Sequence, residues 1–213
     1  LVKDVKDLAR TVKEAFHIAS TGRPGPVVID VPVDITTDEV NGKVNEKMHL
    51  PGYKPYTKAH PGQIKKAADA INESERPVLY AGGGVIASGC SEELQDLARK
   101  ANIPVTTTLM ALGAMPEDDP LSLQMLGMHG TQYANYAVTN CDLLISVGAR
   151  FDDRITGKVE GFAPEAKVMH LDIDPSSIGK NVRVDIPVVG DAKEILTEMC
   201  KQVKETNRSP WME

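Results

Sequence analysis

Apolar side chains recur at helical spacing through the first twenty residues: Val5, Leu8, Ala9, Val12, Ala15, Phe16 and Ala19 share one face, and Gly22 supplies a stop. A helix over residues 2 to 20 is predicted. Pro24-Gly25-Pro26 then turns the chain into Val27-Val28-Ile29-Asp30-Val31, a short β-branched run that reads as a buried strand. From residue 32 to 60 the period is lost amid Pro32, Pro51 and Pro55, which marks a linker and a domain boundary. Beyond it, helix and strand patterns alternate. Helices are expected over residues 61 to 74, 91 to 101, about 131 to 139, and from a cap at Asp191. Strands are expected over 77 to 81, 103 to 107, 142 to 147, 168 to 173 and 186 to 189. Five strands separated by crossovers imply an α/β fold, a parallel sheet flanked by helices. Ser91 is the expected N-cap of its helix, Asp191 caps the last one, and residues 206 to 213 are expected to fray.

Composition narrows the partners. With 41% hydrophobic and 25% charged residues and no long apolar run, the 213-residue chain is expected to be a globular protein off the membrane. A net charge of −6 with scattered basic residues argues against nucleic acid. Cys90, Cys141 and Cys200 are far apart and lack metal-ligand spacing, so they read as reduced thiols of a cytoplasmic protein. The chain opens on Leu1 rather than methionine, which suggests a piece of a longer protein.

Candidate chemistry collects after the strands, where parallel α/β sheets bind ligands. Gly82-Gly83-Gly84-Val85-Ile86-Ala87 satisfies G-x-G-x-x-A directly after a strand. A nicotinamide site also requires an acid about 20 residues further on, and residues 102 to 112 contain none. The next helix is expected only at Ser91, so its N-terminus would not face the glycines. Thr108 and Leu109 follow the second strand. Gly148, Ala149, Arg150, Asp152, Asp153 and Arg154 follow another, and Asp172-Ile173 and Gly190-Asp191 follow the last two. Arg150 and Arg154 could each fork onto phosphate, and Asp172 could accept from a ribose hydroxyl. The alternative is a solvated loop whose arginines pair with Asp152 and Asp153. His129, within Leu126-Gly127-Met128-His129-Gly130, has no partner at metal-ligand spacing. Gly190-Asp191 resembles the start of a Gly-Asp-Gly metal signature, but Ala192 follows and Asp191 reads better as a cap.

Thr21-Gly22-Arg23-Pro24-Gly25-Pro26-Val27, the Gly82 turn, Leu126-Gly127-Met128-His129-Gly130-Thr131, Gly148 to Arg154 and His170-Leu171-Asp172-Ile173-Asp174-Pro175, in this order and spacing, resemble the catalytic large subunits of acetohydroxyacid synthase, also called acetolactate synthase. The likeness runs through essentially the whole chain. It implies residues 1 to 34 as the end of a pyrimidine-binding domain, 35 to 60 as a linker, 61 to 205 as a Rossmann-like central FAD-binding domain, and 206 to 213 as a tail. It implies FAD contacts at Arg23, Gly82, Gly83, Gly84, Thr108, Leu109, Leu126, Gly127, Met128, His129, Gly148, Ala149, Arg150, Asp152, Arg154, Ile155, Asp172, Ile173, Gly190 and Asp191, with no catalytic or metal-ligating residue in this stretch. The enzymes it resembles decarboxylate pyruvate on thiamine diphosphate and transfer the hydroxyethyl group to pyruvate or 2-ketobutyrate. Thiamine diphosphate and magnesium are then held mainly outside this chain, which by itself is expected to be inactive. A homo-oligomer with a regulatory small subunit is the implied assembly. Pyruvate oxidase, glyoxylate carboligase and sulfoacetaldehyde acetyltransferase share such a central domain, and a free-standing, NAD-linked nucleotide module is the reading outside this enzyme class.

Overall fold

The computed structural model describes residues 1 to 44 and 46 to 212, so Asn45 of the expected linker and Glu213 of the expected tail lie outside the described residues. The chain forms two compact units, Leu1–Pro55 and Tyr56–Glu213.

In the first unit a helical turn Val5–Asp7, capped by the Asp4 carboxylate accepting from Lys6 N, leads into α1 (Leu8–Ser20). Val2, Val5 and Ile35 form its small core, with Leu8, Ile29 and Val31 against them. Ile35 comes from α2 (Val33–Thr37), a short helix in the stretch expected to be irregular. The buried strand expected over residues 27 to 31 is not there. That segment is extended, but Val28 is 90% exposed, and it is tied to the N-terminus by Val2 N donating to Asp30 O. A strand needs a ladder partner, and among the described residues of this unit none is present.

The second unit is a six-stranded, wholly parallel sheet with helices on both faces. Its strands are β1 (Pro77–Ala81), β2 (Val105–Thr107), β3 (Ser122–Met125), β4 (Leu143–Val147), β5 (Lys167–Asp172) and β6 (Ile186–Val189), in the order β3-β2-β1-β4-β5-β6. β1 and β4 are buried at every position, as continuous apolar runs in the middle of a doubly covered sheet require. β3 is the strand absent from the expected five. Its Ser-Leu-Gln-Met is short and half exposed, Gln124 has a left-handed φ of 57°, and its register with β2 shifts, so no strand periodicity survives.

On one face lie α3 (Pro61–Glu73), α5 (Ser91–Ala101) and α8 (Ala192–Gln202), with α4 (Gly83–Ala87) between β1 and α5. The larger core fills this side. Ile64, Ala67 and Ile71 of α3, Leu94 and Leu97 of α5, and Ile195, Leu196 and Met199 of α8 meet Leu79, Ile145, Met169, Leu171 and Val188. The other face carries α6 (Gln132–Asn140) and loops over a smaller core of Val78, Tyr80, Leu144, Val168, Phe151 and Val182. As expected, Asp191 caps α8, accepting from Lys193 N and Glu194 N.

Three local expectations are corrected. α5 is capped by Cys90 rather than Ser91, and without a side-chain bond. α4 begins at Gly83, so a helix does spring from the glycine turn; it ends within five residues because Gly89 turns the chain at φ 61°. Residues 208 to 212, expected to fray, are docked on the second unit. Arg208 is 4% exposed, and its guanidinium donates to the Ala101, Ile71 and Ser74 carbonyls at the ends of α5 and α3. Trp211 in α9 (Ser209–Met212) donates from Nε1 to Pro77 O at 3.1 Å. Both residues find partners far back in the chain, which a local reading of a polar tail cannot register.

Candidate functional site

The strand order reverses direction between β1 and β4, and in such sheets the crevice at the carboxyl ends beside that switch point is where ligands bind. The glycine turn after β1 and the Gly148 loop after β4 occupy it side by side. Gly82 N donates to Val147 O at 2.8 Å and Gly84 N to Gly148 O at 3.1 Å. A Cβ on Gly82 would sit 2.2 Å from Gly148 O, and one on Gly148 would sit 2.5 Å from Gly84 Cα. The lack of side chains at Gly82, Gly84 and Gly148 is thus required by the protein's own backbone, and two of the turn's N–H groups are already used. Gly83 differs: it opens α4, and a Cβ there meets Met110 alone, with Met110 Cβ nearest at 3.1 Å.

The neighbouring strands bring the other expected residues to the same rim. Thr108 ties the end of β2 to β1 through its N–H to Ala81 O at 2.9 Å, and Leu109 follows, 68% exposed. The hydroxyls of Thr107 and Thr108 are both buried there without a hydrogen-bond partner among the described residues. After β3, Leu126 is buried and Gly127 (φ 105°) lies against the Arg154 carbonyl and Ile155, so a Cβ would come within 2.7 Å of Arg154 O. Met128 N donates to that same carbonyl at 3.1 Å, while its side chain and His129 are exposed. The loops after β3 and β4 are thereby joined.

The loop after β4 turns sharply. Ala149 is buried, Arg150 is exposed, and Phe151 is buried at a left-handed φ of 53°, a conformation that costs a bulky residue roughly 1–3 kcal/mol. Its ring packs edge-on to His170 at 5.1 Å and lies near Tyr80 and Phe162. With Phe151 turned inward, Arg150 and Asp152 face solvent and pair with each other at 2.8 Å. α7 (Asp153–Thr156) follows and carries Arg154, also exposed. At the end of β5, Asp172 is buried; its Oδ1 accepts from Asp174 N at 2.9 Å and its Oδ2 lies 3.7 Å from His170 Nε2. Neither ring nitrogen of His170 has a hydrogen-bond partner among the described residues. Ile173 follows, partly buried. After β6, Gly190 passes 2.9 Å from Ala59 N at its Cβ position. The Asp191 carboxylate accepts both α8 amides on Oδ1 and shares the Ser88 Oγ donor, at 2.9 Å, between its two oxygens. Arg23 lies in the other compact unit, in the loop after α1.

Two residues that shape this rim carry no signal in the sequence. Asn135 of α6 accepts from Gly127 N and donates to Gly127 O, fixing the loop after β3. Asn181 does the same for the loop after β4, with Nδ2 3.0 Å from Arg150 O and 3.1 Å from Phe151 O. Each acts on backbone from a distant or differently structured segment. No group of three His, Cys, Asp or Glu that could hold a metal ion occurs among the described residues. Burial pushes the Cys90 thiol up to about 11 and the Cys141 thiol up to about 12, which keeps both protonated near neutrality.

Comparison with known proteins matches residues 64–199 to the central domain of thiamine pyrophosphate enzymes. A "Probable acetolactate synthase large subunit" of Methanocaldococcus jannaschii is 59% identical over 201 residues, covering 93% of this chain and 34% of the relative. An "Acetolactate synthase" of Mycobacterium bovis is 50% identical over 204 residues, covering 96% of the chain and 33% of the relative. An "Acetolactate synthase large subunit" of Buchnera aphidicola subsp. Schizaphis graminum is 50% identical over 206 residues, at 96% and 36%. The chain spans about a third of the length of these curated relatives.

Proposed function

Since the chain belongs to the thiamine pyrophosphate enzymes, as their central domain, we propose that its sheet's carboxyl rim holds FAD within an acetolactate synthase large subunit. The observation that carries this is the pair of buried hydroxyls, Thr107 and Thr108, left unpartnered at the crevice where the loops after β1, β2, β3 and β4 converge. Unpaired buried hydroxyls are costly in a finished site and are explained by a polar ligand.

The donor set fits an adenine dinucleotide. Gly83 offers backbone without an obstructing side chain, Arg150 and Arg154 offer exposed guanidiniums for phosphate, and Asp172 offers a buried carboxylate for a ribose hydroxyl. The missing acid after β2 disfavours nicotinamide dinucleotides. The rim residues bind and orient the flavin. The role we assign to the flavin is structural, with this domain shaping a site whose chemistry is done elsewhere.

In the whole enzyme, thiamine diphosphate supplies the electron sink for decarboxylating pyruvate and passing its two-carbon unit to a second 2-keto acid, a step of branched-chain amino acid synthesis. We assign that cofactor's metal to the rest of the enzyme: Asp191 here caps α8, and no group of three His, Cys, Asp or Glu that could hold a metal ion occurs among the described residues. A cytoplasmic homo-oligomer with magnesium and a regulatory small subunit completes the proposal; no helix among the described residues is long and apolar enough to cross a membrane. The test is flavin content. Purified chain, reconstituted with FAD and desalted, is expected to retain stoichiometric flavin with quenched fluorescence, whereas retention of NAD and not flavin would overturn the assignment.

A further inference from the structure

The loop from Gly148 to Arg154 is held in an unfavourable backbone shape, and one side chain accounts for how. Phe151 sits at φ 53° with its ring buried, and this inward turn is what sends Arg150 and Asp152 outward to the rim. A bulky residue keeps such a conformation only when its surroundings over-determine it. The ring contacts hold the side chain. The backbone is held by Asn181, whose Nδ2 grips the two carbonyls that flank the turn, Arg150 O at 3.0 Å and Phe151 O at 3.1 Å.

We infer that Asn181 is a positioning residue for the candidate cofactor site: by clamping those two carbonyls it fixes the direction in which Arg150 and Asp152 leave the chain. Asn181 itself is exposed and lies in the loop between β5 and β6, well past the Asp172-Ile173 pair at the rim. It acts through the loop, by its bonds to the two carbonyls. This inference rests on the FAD reading above for its functional half, while the clamp itself does not depend on any ligand.

The experiment uses the whole 213-residue chain, as wild type and as Asn181→Ala and Asn181→Asp, the latter keeping the size and removing the donor. Trypsin is the first readout, because the Arg150–Phe151 peptide bond carries one of the clamped carbonyls. In the ligand-free chain both variants are expected to be cut there several-fold faster. FAD titration is the second readout, and affinity is expected to fall about tenfold, the loss of two ordinary hydrogen bonds' worth of ordering. Melting temperature, the third, is expected to change little. Unchanged cleavage in both variants would overturn the clamp. Faster cleavage with unchanged FAD affinity would overturn the positioning role, as would a large fall in melting temperature in both. Wild type that takes up no FAD would instead bring down the cofactor reading, and the cleavage rates would still decide whether Asn181 holds the loop.

Discussion

Gly82 and Gly148 meet backbone to backbone, so a methyl group on either has nowhere to go. Gly82→Ala would put Cβ 2.2 Å from a carbonyl oxygen that is itself part of a buried loop, and the two loops would have to separate. We expect it to cost about 3 kcal/mol or more, in the range of severe packing clashes. Gly83→Ala, which needs only a small shift of Met110, should stay within about 1 kcal/mol of wild type by urea denaturation. Equal losses from the two would refute this division of roles. The buried thiols give a pH effect whose sign is fixed. Burial raises Cys90 from 9.0 to about 11 and Cys141 to about 12 in the folded chain. Below pH 9 both states are protonated and the contribution is intact; as pH climbs through 9 toward 11 the unfolded chain loses protons first, and stability falls. Burial raises Tyr80 as well, with the Asp152 charge adding to it, so its effect has the same sign. Urea midpoints measured from pH 8 to 10.5 should decline, and less steeply in Cys90→Ala/Cys141→Ala after correction for its lower baseline.

At the scale of elements, the C-terminal segment closes the amino end of the sheet. Arg208 caps two helices at once, placing a cation and several donors where the last carbonyls of α3 and α5 would otherwise be buried unpaired. Burial pulls its guanidinium below the ordinary value while the Asp142 charge opposes the shift. Trp211 and Met212 pack against the smaller and larger cores, respectively. Arg208→Ala is therefore expected to lower stability by about 3 kcal/mol, read as a fall in melting temperature. Arg208→Lys should recover only part of the loss, since one ammonium cannot reach both helix ends as a planar fork does. A wild-type melting temperature in Arg208→Ala would show the segment to be dispensable. The regular helices and strands were legible because each carries its own period: α3, α5, β1, β4 and β6 appear within two residues of where their patterns put them. β3 and the tail were not legible, since each owes its structure to partners remote in sequence.

For the whole molecule, the two large clusters lie entirely within residues 59 to 212 and the small one within 2 to 35. Residues 56 to 213 expressed alone should accordingly melt cooperatively and keep the parallel sheet, as judged by circular dichroism and by one sharp thermal transition. A broad, non-cooperative melt would contradict that. The alternation of helical and extended periods determined the α/β class, the parallel sheet and the set of polar loops after the strands. Those follow from hydrophobic pattern and crossover length, which are properties of the chain read in order. Only the tertiary structure decided what the glycine turn does. Its spacing suggests backbone cleared for a phosphate, but strand order sets β1 beside β4, and there Gly82 and Gly84 are needed first so that two loops can touch. The same holds for Asn181 and the strained Phe151: which distant side chain braces a loop is settled by packing in three dimensions, and no local period or spacing encodes it.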